Sequence, residues 1–525
     1  MPGAQRLPLR WRLTGAPAML PPMDALCQLE IDALAHDGRG IGHLADPARP
    51  DGRGLAVFVE GALPGQTVRC HLVARKPRFA EAQLVDVLRP APDAVAPLCP
   101  HAGGAGAEAA GGCGGCPLQT MPYDRQLAWK TRLALDALGR IGKLAPGTLD
   151  RAWAGTLPSP ALTGFRNRMT FAFGPSGRGL ALGQRRRGAA DVVATPDCAL
   201  LPEGGRRLLA EAHAAAAASG LAAWRAPERR KRGERGAGGF WRFLTLRQGW
   251  LPGDAAPRWW AVCLTSPGAT RERAAVRTLG ERLLGLGGAS GLGGFLHEER
   301  GRDDALAAGE RRVLCLDAQG AENPDAATLL LPLGGRRFAL DAASFFQVNT
   351  AAAELLARTV MEMAPPLHGG SLLDVYSGVG APGLLLAPGF ATVLGMECDR
   401  RAVAMAQRNA EDAGLTGCRY VAGDAGALLS RLAAGAPLPG IGAGRKGRHW
   451  DLALLDPPRA GMAPAALDAL LRLAPEHLLY VSCNPATLAR DAGRLSARYA
   501  LQRLAAVDLF PHTPHLECCS LWRRR

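Results

Sequence analysis

No uncharged apolar run in the 525-residue sequence is long and clean enough to read as a membrane span. The longest uncharged stretch, Val375 to Met396, is interrupted by five glycines and two prolines and reads as a turn-rich region. The first twenty residues lack the apolar core of a secretory leader. They also lack any acidic residue before Asp24, and with Arg6, Arg10 and Arg12 they carry the charge of an organelle-targeting peptide, the alternative to a cytoplasmic protein. No repeat of solenoid length is present. Acidic residues number 47 against 62 Lys and Arg, a net charge of +15. That excess points to a polyanionic partner, nucleic acid or an acidic membrane surface, against the plainer reading of a soluble basic protein. With 48% hydrophobic and 21% charged residues the chain is globular rather than disordered. Its length exceeds one core and implies roughly two to four domains.

The thirteen cysteines are mostly isolated, as in Cys27, Cys70, Cys263 and Cys315, and read as small buried hydrophobes of a reduced protein. One group differs. Cys99 is followed by Cys113 and Cys116 as a C-x-x-C pair, and Cys198 lies later in ATPDCAL. Four thiolates suit either tetrahedral zinc or an iron–sulfur cluster, and unligated cysteines are the alternative.

Residues 24 to 90 alternate apolar stretches (LEIDAL, LAVFVEG, TVRCHLVA, EAQLVDVL) with turn signals such as HDGRGIG and ALPGQ, which predicts a small β-barrel. Residues 202 to 240, rich in Ala, Gly and Arg, predict an exposed helix and then a mobile basic loop. A second Gly/Pro-rich insertion spans 435 to 448.

The last third predicts a doubly wound α/β domain. SLLDVYSGVGAPGLLLA is a strand, a glycine-rich turn and the start of a helix; TVLGME, RYVAGDA, DLALLDPPRAG and LLYVSCNP supply further strands that end in polar or acidic groups. Gly378, Gly380 and Gly383 match G-x-G-x-x-G, and Glu397 lies nineteen residues beyond Gly378. Asp374 before the turn and Asp424 after the third strand add acids that a pyrophosphate would repel. A ligand with a ribose and a sulfonium accepts them, so S-adenosylmethionine fits better than NAD.

These pieces, with FRNRMTFAFG (165–174), FFQVN (345–349), LDPPRAG (455–461), SCNPATLARD (482–491) and FPHTPHLEC (510–518), resemble the uracil-5-methyltransferase family that modifies transfer and ribosomal RNA. The resemblance covers nearly the whole chain. It implies an α/β fold: a Rossmann-like methyltransferase domain at 341–525, an OB-like TRAM β-barrel at 24–92 that binds RNA, and a central α+β iron–sulfur domain at 93–340, after a tail at 1–23. It implies that Cys99, Cys113, Cys116 and Cys198 ligate a 4Fe–4S cluster. The thirteen residues between Cys99 and Cys113 are more than the family's usual short spacer. It further implies that Gln347, Tyr376, Glu397 and Asp456 contact the cofactor, whereas Asp424 joins them on strand-end logic. Ala381 replaces a polar residue common in the family's turn.

The chemistry agrees. Carbon 5 of uracil is a poor nucleophile until a thiolate adds at carbon 6, and a base must later remove the carbon-5 proton so that the thiolate leaves. Cys483, between the strand HLLYVSC and a helix opened by Pro485, is the expected nucleophile, with a pKa lowered by the helix N-terminus. The resemblance assigns the base to Glu517; His512 and His515 are expected to serve a tight turn, and Cys518 and Cys519 to pack. Arg459 is expected to meet a phosphate, to stabilise charge on the uracil, or to form a plain salt bridge. The basic runs at 184–188, 229–232 and 445–448 are expected on solvated faces or at phosphates. The target base must leave its stack. Ribosomal RNA is the favoured substrate and transfer RNA the alternative, for a monomer without membrane contact. A dehydrogenase and a non-catalytic RNA-binding protein are the rival classes; neither needs both SCNP and HLEC.

Overall fold

The structure, a computed structural model, describes residues 26–45, 54–102, 112–177, 179–187, 189–225, 238–439 and 449–525. The tail at 1–23 and the basic runs at 229–232 and 445–448 lie outside the described residues. The described residues from Leu26 to Ala96 form one compact unit; Pro97–Ala102 and the described residues from Cys113 to Arg525 form a second.

In the first unit, β1 (Leu26–Leu34), β2 (Gly40–Leu44), β3 (Leu55–Glu60), β4 (Thr67–Arg75) and β5 (Phe79–Arg89) close a barrel in the order β1-β2-β3-β5-β4. Burial alternates along β1 and β3, so Leu29, Ile31, Val57 and Val59 fill the interior while their neighbours face out. The turn signal HDGRGIG is partly strand. A Cβ at Gly40 would lie 2.7 Å from the Ala62 carbonyl oxygen, and one at Gly42 2.6 Å from that of Glu30, so these glycines mark close backbone approach inside the barrel.

The second unit opens with α1 (Tyr123–Arg140), α2 (Pro146–Ala152) and β6 (Trp153–Leu157). A seven-stranded sheet follows in the order β13-β12-β11-β10-β7-β8-β9, built from β7 (Arg168–Ser176), β8 (Gly179–Arg185), β9 (Val192–Ala194), β10 (Trp241–Gly249), β11 (Arg258–Thr265), β12 (Leu292–Glu299) and β13 (Arg311–Asp317). Helices α3 (Glu203–Ala218) and α4 (Thr270–Leu284) pack on it around Phe171, Trp241, Trp259 and Phe295. Helix α3 is not the exposed helix expected: Leu208, Leu209, Ala212 and Ala216 form a buried stripe, because its alanines let it approach the sheet closely. Strands β14 (Thr328–Leu333) and β15 (Arg336–Asp341) form a hairpin.

The last sheet runs β18-β17-β16-β19-β20-β22-β21-β6. Its elements are α5 (Thr350–Met363), β16 (Gly370–Val375), α6 (Ala381–Leu386), β17 (Phe390–Glu397), α7 (Arg400–Asp412), β18 (Cys418–Ala422), α8 (Ala425–Ala433), β19 (Leu452–Leu455), α9 (Pro464–Leu473), β20 (His477–Ser482), α10 (Pro485–Leu495), β21 (Tyr499–Val507) and β22 (Glu517–Arg524). Strands β16 to β20 are mutually parallel and doubly wound, and β22 joins antiparallel to β20. Strand β6 pairs parallel to β21. The span 93–340 expected as one central domain therefore gives α1, α2 and β6 to this sheet, since β21 offers an edge that β6 covers. Helix α10 buries Leu488, Ala492 and Leu495 at helical spacing beside α1, and truncating either leucine to Ala would cost about 2–5 kcal/mol. No described helix is long and apolar enough to cross a membrane.

Candidate active site

Doubly wound sheets place ligands beyond the carboxyl ends of their strands. Here those ends deliver Tyr376, Glu397, Asp424, Asp456 and Cys483. Cys483 follows β20, and the Asn484 side chain caps α10 by accepting from the Ala486 N–H at 3.1 Å. Strand β22 runs back along β20 in a register that pairs Val481 with Cys519 and Ser482 with Cys518. The next step in that register is Cys483 and Glu517. Cys483 is half-buried and Glu517 is buried.

The expected lowering of the Cys483 pKa does not occur. Burial, then the charges of Glu517 and Asp456, push the thiol up to about 11, and only the Arg459 guanidinium and a backbone contact oppose them. Desolvation by a closed site outweighs one helix N-terminus. Burial also pushes Glu517 up to about 8, with Asp456 adding and Arg459 subtracting. Asp456 keeps some surface, yet the protein around it raises its carboxyl to about 7.

Arg459 is held from α10. Asn484 Nδ2 and Thr487 Oγ1 both donate to the Arg459 carbonyl, at 3.0 and 3.2 Å. Buried Asp491 fixes the end of the same loop by accepting from the Met462 N–H at 3.0 Å and the Tyr480 hydroxyl at 2.7 Å. The Arg459 Nη2 lies 3.4 Å from His515 Nε2. His515 is pushed down to about 4 by burial and by Arg459, and so is neutral. His512 hydrogen-bonds the Leu162 carbonyl, while Cys518 and Cys519 are buried in the sheet.

The glycine turn is a tight acid-lined hollow. Tyr376, Gly378 and Gly380 have φ of 66°, 55° and 82°. A Cβ on Gly383 would lie 2.2 Å from Asp374 Oδ2. Glu397 accepts from the N–H groups of Gly378, Cys398 and Asp399 at 3.1, 2.7 and 2.9 Å, so it holds the turn. Asp424 caps α8 by accepting from the Ala427 N–H at 2.9 Å, and its charge is among the causes, after burial, that raise the Tyr376 hydroxyl to about 12. Asp374, buried against Gly383, has its carboxyl raised by burial and then by Asp456 and Glu397, with the Gly383 backbone opposing. Crowded carboxyls beside a glycine turn fit a cationic nucleoside such as S-adenosylmethionine. Asp374, the acid before the glycine turn in the sequence, lies with these groups. Gln347, beyond this sheet, is fixed through its carbonyl, which accepts from Asn167 Nδ2 at 3.0 Å.

A separate cavity of about 110 Å³ is lined by Cys99, Cys113, Cys116 and Cys198, with Gln119, Arg166 and Met169. The long spacer does not keep Cys99 away. Its N–H donates to Gln119 Oε1 at 3.0 Å, and Cys113 N–H donates to the His101 carbonyl at 2.6 Å. His101 in turn hydrogen-bonds Asp197, next to Cys198. Burial raises the Cys116 thiol to about 12 and the Cys198 thiol to about 11, and neighbouring cysteines add to both. Four thiols lining one cavity are a donor set that suits a soft metal centre.

A mostly parallel sheet with an acid-lined glycine turn and reactive side chains at its carboxyl edge fits an S-adenosylmethionine-dependent methyltransferase. Residues 323–525 match the profile described as tRNA (Uracil-5-)-methyltransferase, and residues 28–85 match the TRAM domain. The chain is 39% identical over 93% of its length, and 93% of the relative's, to an uncharacterized RNA methyltransferase of Nitratidesulfovibrio vulgaris strain Hildenborough. It is 31% identical to the 23S rRNA (uracil(1939)-C(5))-methyltransferase RlmD of Alkalilimnicola ehrlichii, covering 95% of this chain and 96% of that one. The solved tRNA (uracil-54, C5)-methyltransferase of Pyrococcus abyssi, in complex with S-adenosyl-L-homocysteine, shares the fold with a TM-score of 0.64 at 24% identity, covering 94% of this chain and all of that one. The chain belongs to the RNA uracil-5-methyltransferase family and is an S-adenosylmethionine-dependent enzyme with a TRAM domain.

Proposed function

We propose that this enzyme methylates carbon 5 of a uridine in 23S ribosomal RNA through a covalent bond between Cys483 and carbon 6. The observation that carries the reading is the juxtaposition of Cys483, Glu517 and Arg459 beside the acid-lined turn. Cys483 adds to carbon 6 and leaves carbon 5 as an enolate carbon. S-adenosylmethionine, when bound, supplies the electrophilic methyl. Burial keeps Cys483 and Glu517 protonated in the free protein, so each gives its proton to solvent before it acts, and the Arg459 charge favours the thiolate and the enolate. Glu517, ionised, then takes the carbon-5 proton and Cys483 leaves by elimination. Gln347, Tyr376, Glu397, Asp374 and Asp456 hold the cofactor, with Asp424 beside them.

Cys99, Cys113, Cys116 and Cys198 hold a 4Fe–4S cluster in this reading. Methyl transfer moves no electron, so the cluster clamps the segments near residues 113 and 198 together. Ribosomal RNA is favoured by the RlmD relative, and the fold shared with a transfer RNA enzyme supports the second reading. The enzyme acts as a cytoplasmic monomer, and its barrel and basic surface bind phosphates. Methyl transfer from labelled S-adenosylmethionine, with mapping of the product uridine in ribosomal and transfer RNA, tests the reading. Label in neither RNA would overturn it, and label confined to transfer RNA would replace the substrate.

A further inference from the structure

Three polar side chains of α1, Tyr123, Gln126 and Lys130, share one helix face by their spacing. Two of them are buried, and all three end on the same segment, residues 508–512. Lys130 Nζ donates to Asp508 Oδ1 at 2.8 Å and to the Phe510 carbonyl at 3.0 Å. The Tyr123 hydroxyl donates to Asp508 Oδ2 at 2.9 Å and accepts from the Ser159 N–H at 2.7 Å. Gln126 Oε1 accepts from the His512 N–H at 2.9 Å, while its Nε2 donates to the carbonyls of Leu118 and Met121 at 3.1 and 2.8 Å. The circuit closes where the Leu118 N–H donates to the His512 carbonyl at 3.0 Å.

This arrangement is costly for a helix that packs well through Ala134 and Leu138. Neither Lys130 nor Asp508 keeps any side-chain surface, and a buried ion pair is often no better for stability than apolar residues of the same volume. His512 has a φ of 66°, a left-handed conformation that disfavours a non-glycine residue. What the circuit does achieve is to fix a loop. Beyond His512 the chain reaches His515, whose ring lies edge-on to Phe510 and touches Arg459, and then Glu517 at the start of β22. The same circuit takes in the turn that follows Cys116.

We propose that Gln126 and Lys130 are positioning residues that set Glu517, and through His515 also Arg459, against Cys483. They act through the 508–515 loop and touch no substrate. The inference rests on the reading of Glu517 as the base. A base displaced by about 1 Å loses roughly tenfold to hundredfold in rate. Because methyl transfer precedes proton removal, the covalent intermediate should then persist.

The test compares Gln126→Leu with Glu517→Gln in the full-length enzyme acting on unmodified 23S ribosomal RNA. The readouts are kcat, the KM values and the protein–RNA adduct that survives denaturation. Gln126→Leu should lower kcat roughly tenfold or more with both KM values held, and should accumulate adduct as Glu517→Gln does. Adduct in Glu517→Gln but wild-type levels in Gln126→Leu would overturn the positioning role alone. No adduct in Glu517→Gln would remove Glu517 as the base, and this inference with it. Should Gln126→Leu fail to fold, the double change Lys130→Met with Asp508→Leu removes the ion pair without stranding a charge. In that variant, wild-type kcat and no adduct would overturn the proposal, and raised adduct with both KM values held would support it.

Discussion

Cys483 and Glu517 lie one register step beyond the Ser482–Cys518 pair of β20 and β22, on adjacent antiparallel strands. A single ladder thus brings a cysteine just past the end of β20 near an acid at the start of β22. The relationship is electrostatic as well as geometric, since the charge of Glu517 adds to the burial that raises the Cys483 thiol.

Removal of the thiol separates binding from chemistry. Cys483→Ala should bind S-adenosylmethionine with wild-type affinity by calorimetry and transfer no methyl to RNA. Because Cys483 is half-buried at a strand end, the change should cost little stability. Retained methyl transfer would dispose of the covalent route.

The buried carboxyls make stability depend on pH in a stated direction. Glu517 is raised from 4.5 to about 8, so the folded chain holds a proton that the unfolded chain gives up. Its contribution is complete below the unfolded value and is lost as pH rises through about 8; Asp456, raised to about 7, acts with the same sign. Denaturant midpoints of the cofactor-free enzyme should fall between about pH 6 and about pH 8.5, less steeply in Glu517→Gln. The kcat/KM should rise over the same range as the base ionises. Identical midpoint slopes in both proteins would refute the assignment of the buried proton.

Gly383 is the sharpest steric test of the turn. A Cβ there would meet Asp374 Oδ2 at 2.2 Å, so Gly383→Ala should cost about 1–3 kcal/mol and weaken S-adenosylmethionine binding. Full affinity by calorimetry would place the cofactor elsewhere.

The four-cysteine cavity should colour the protein. Enzyme purified without oxygen should be brown with about four irons per chain, and Cys113→Ser, Cys116→Ser or Cys99→Ser should each lower the iron content. One tightly held zinc and no iron would replace the cluster with a tetrahedral site. Full iron in Cys99→Ser would mean that a different donor completes the set.

The strand-to-helix place of Cys483, the glycine turn with its acids and the alternating strands of the barrel are legible in the residues alone. Each is a local matter: Pro485 suits a first helical turn, glycine alone tolerates the turn, and period-two patterning makes strands. What these pieces do to one another depends on packing in space. The rise of the Cys483 pKa comes from burial beside Glu517 and Asp456, groups 34 and 27 residues away in sequence, and so reverses the effect a helix N-terminus suggests. The convergence of Cys99 with Cys198, the pairing of β6 with β21, and the hold of Gln126 and Lys130 on residues 508–512 depend on contacts between segments distant in the chain. Such contacts leave no periodic or compositional trace, because hydrogen bonds and desolvation are set by distance in space and not by spacing along the chain.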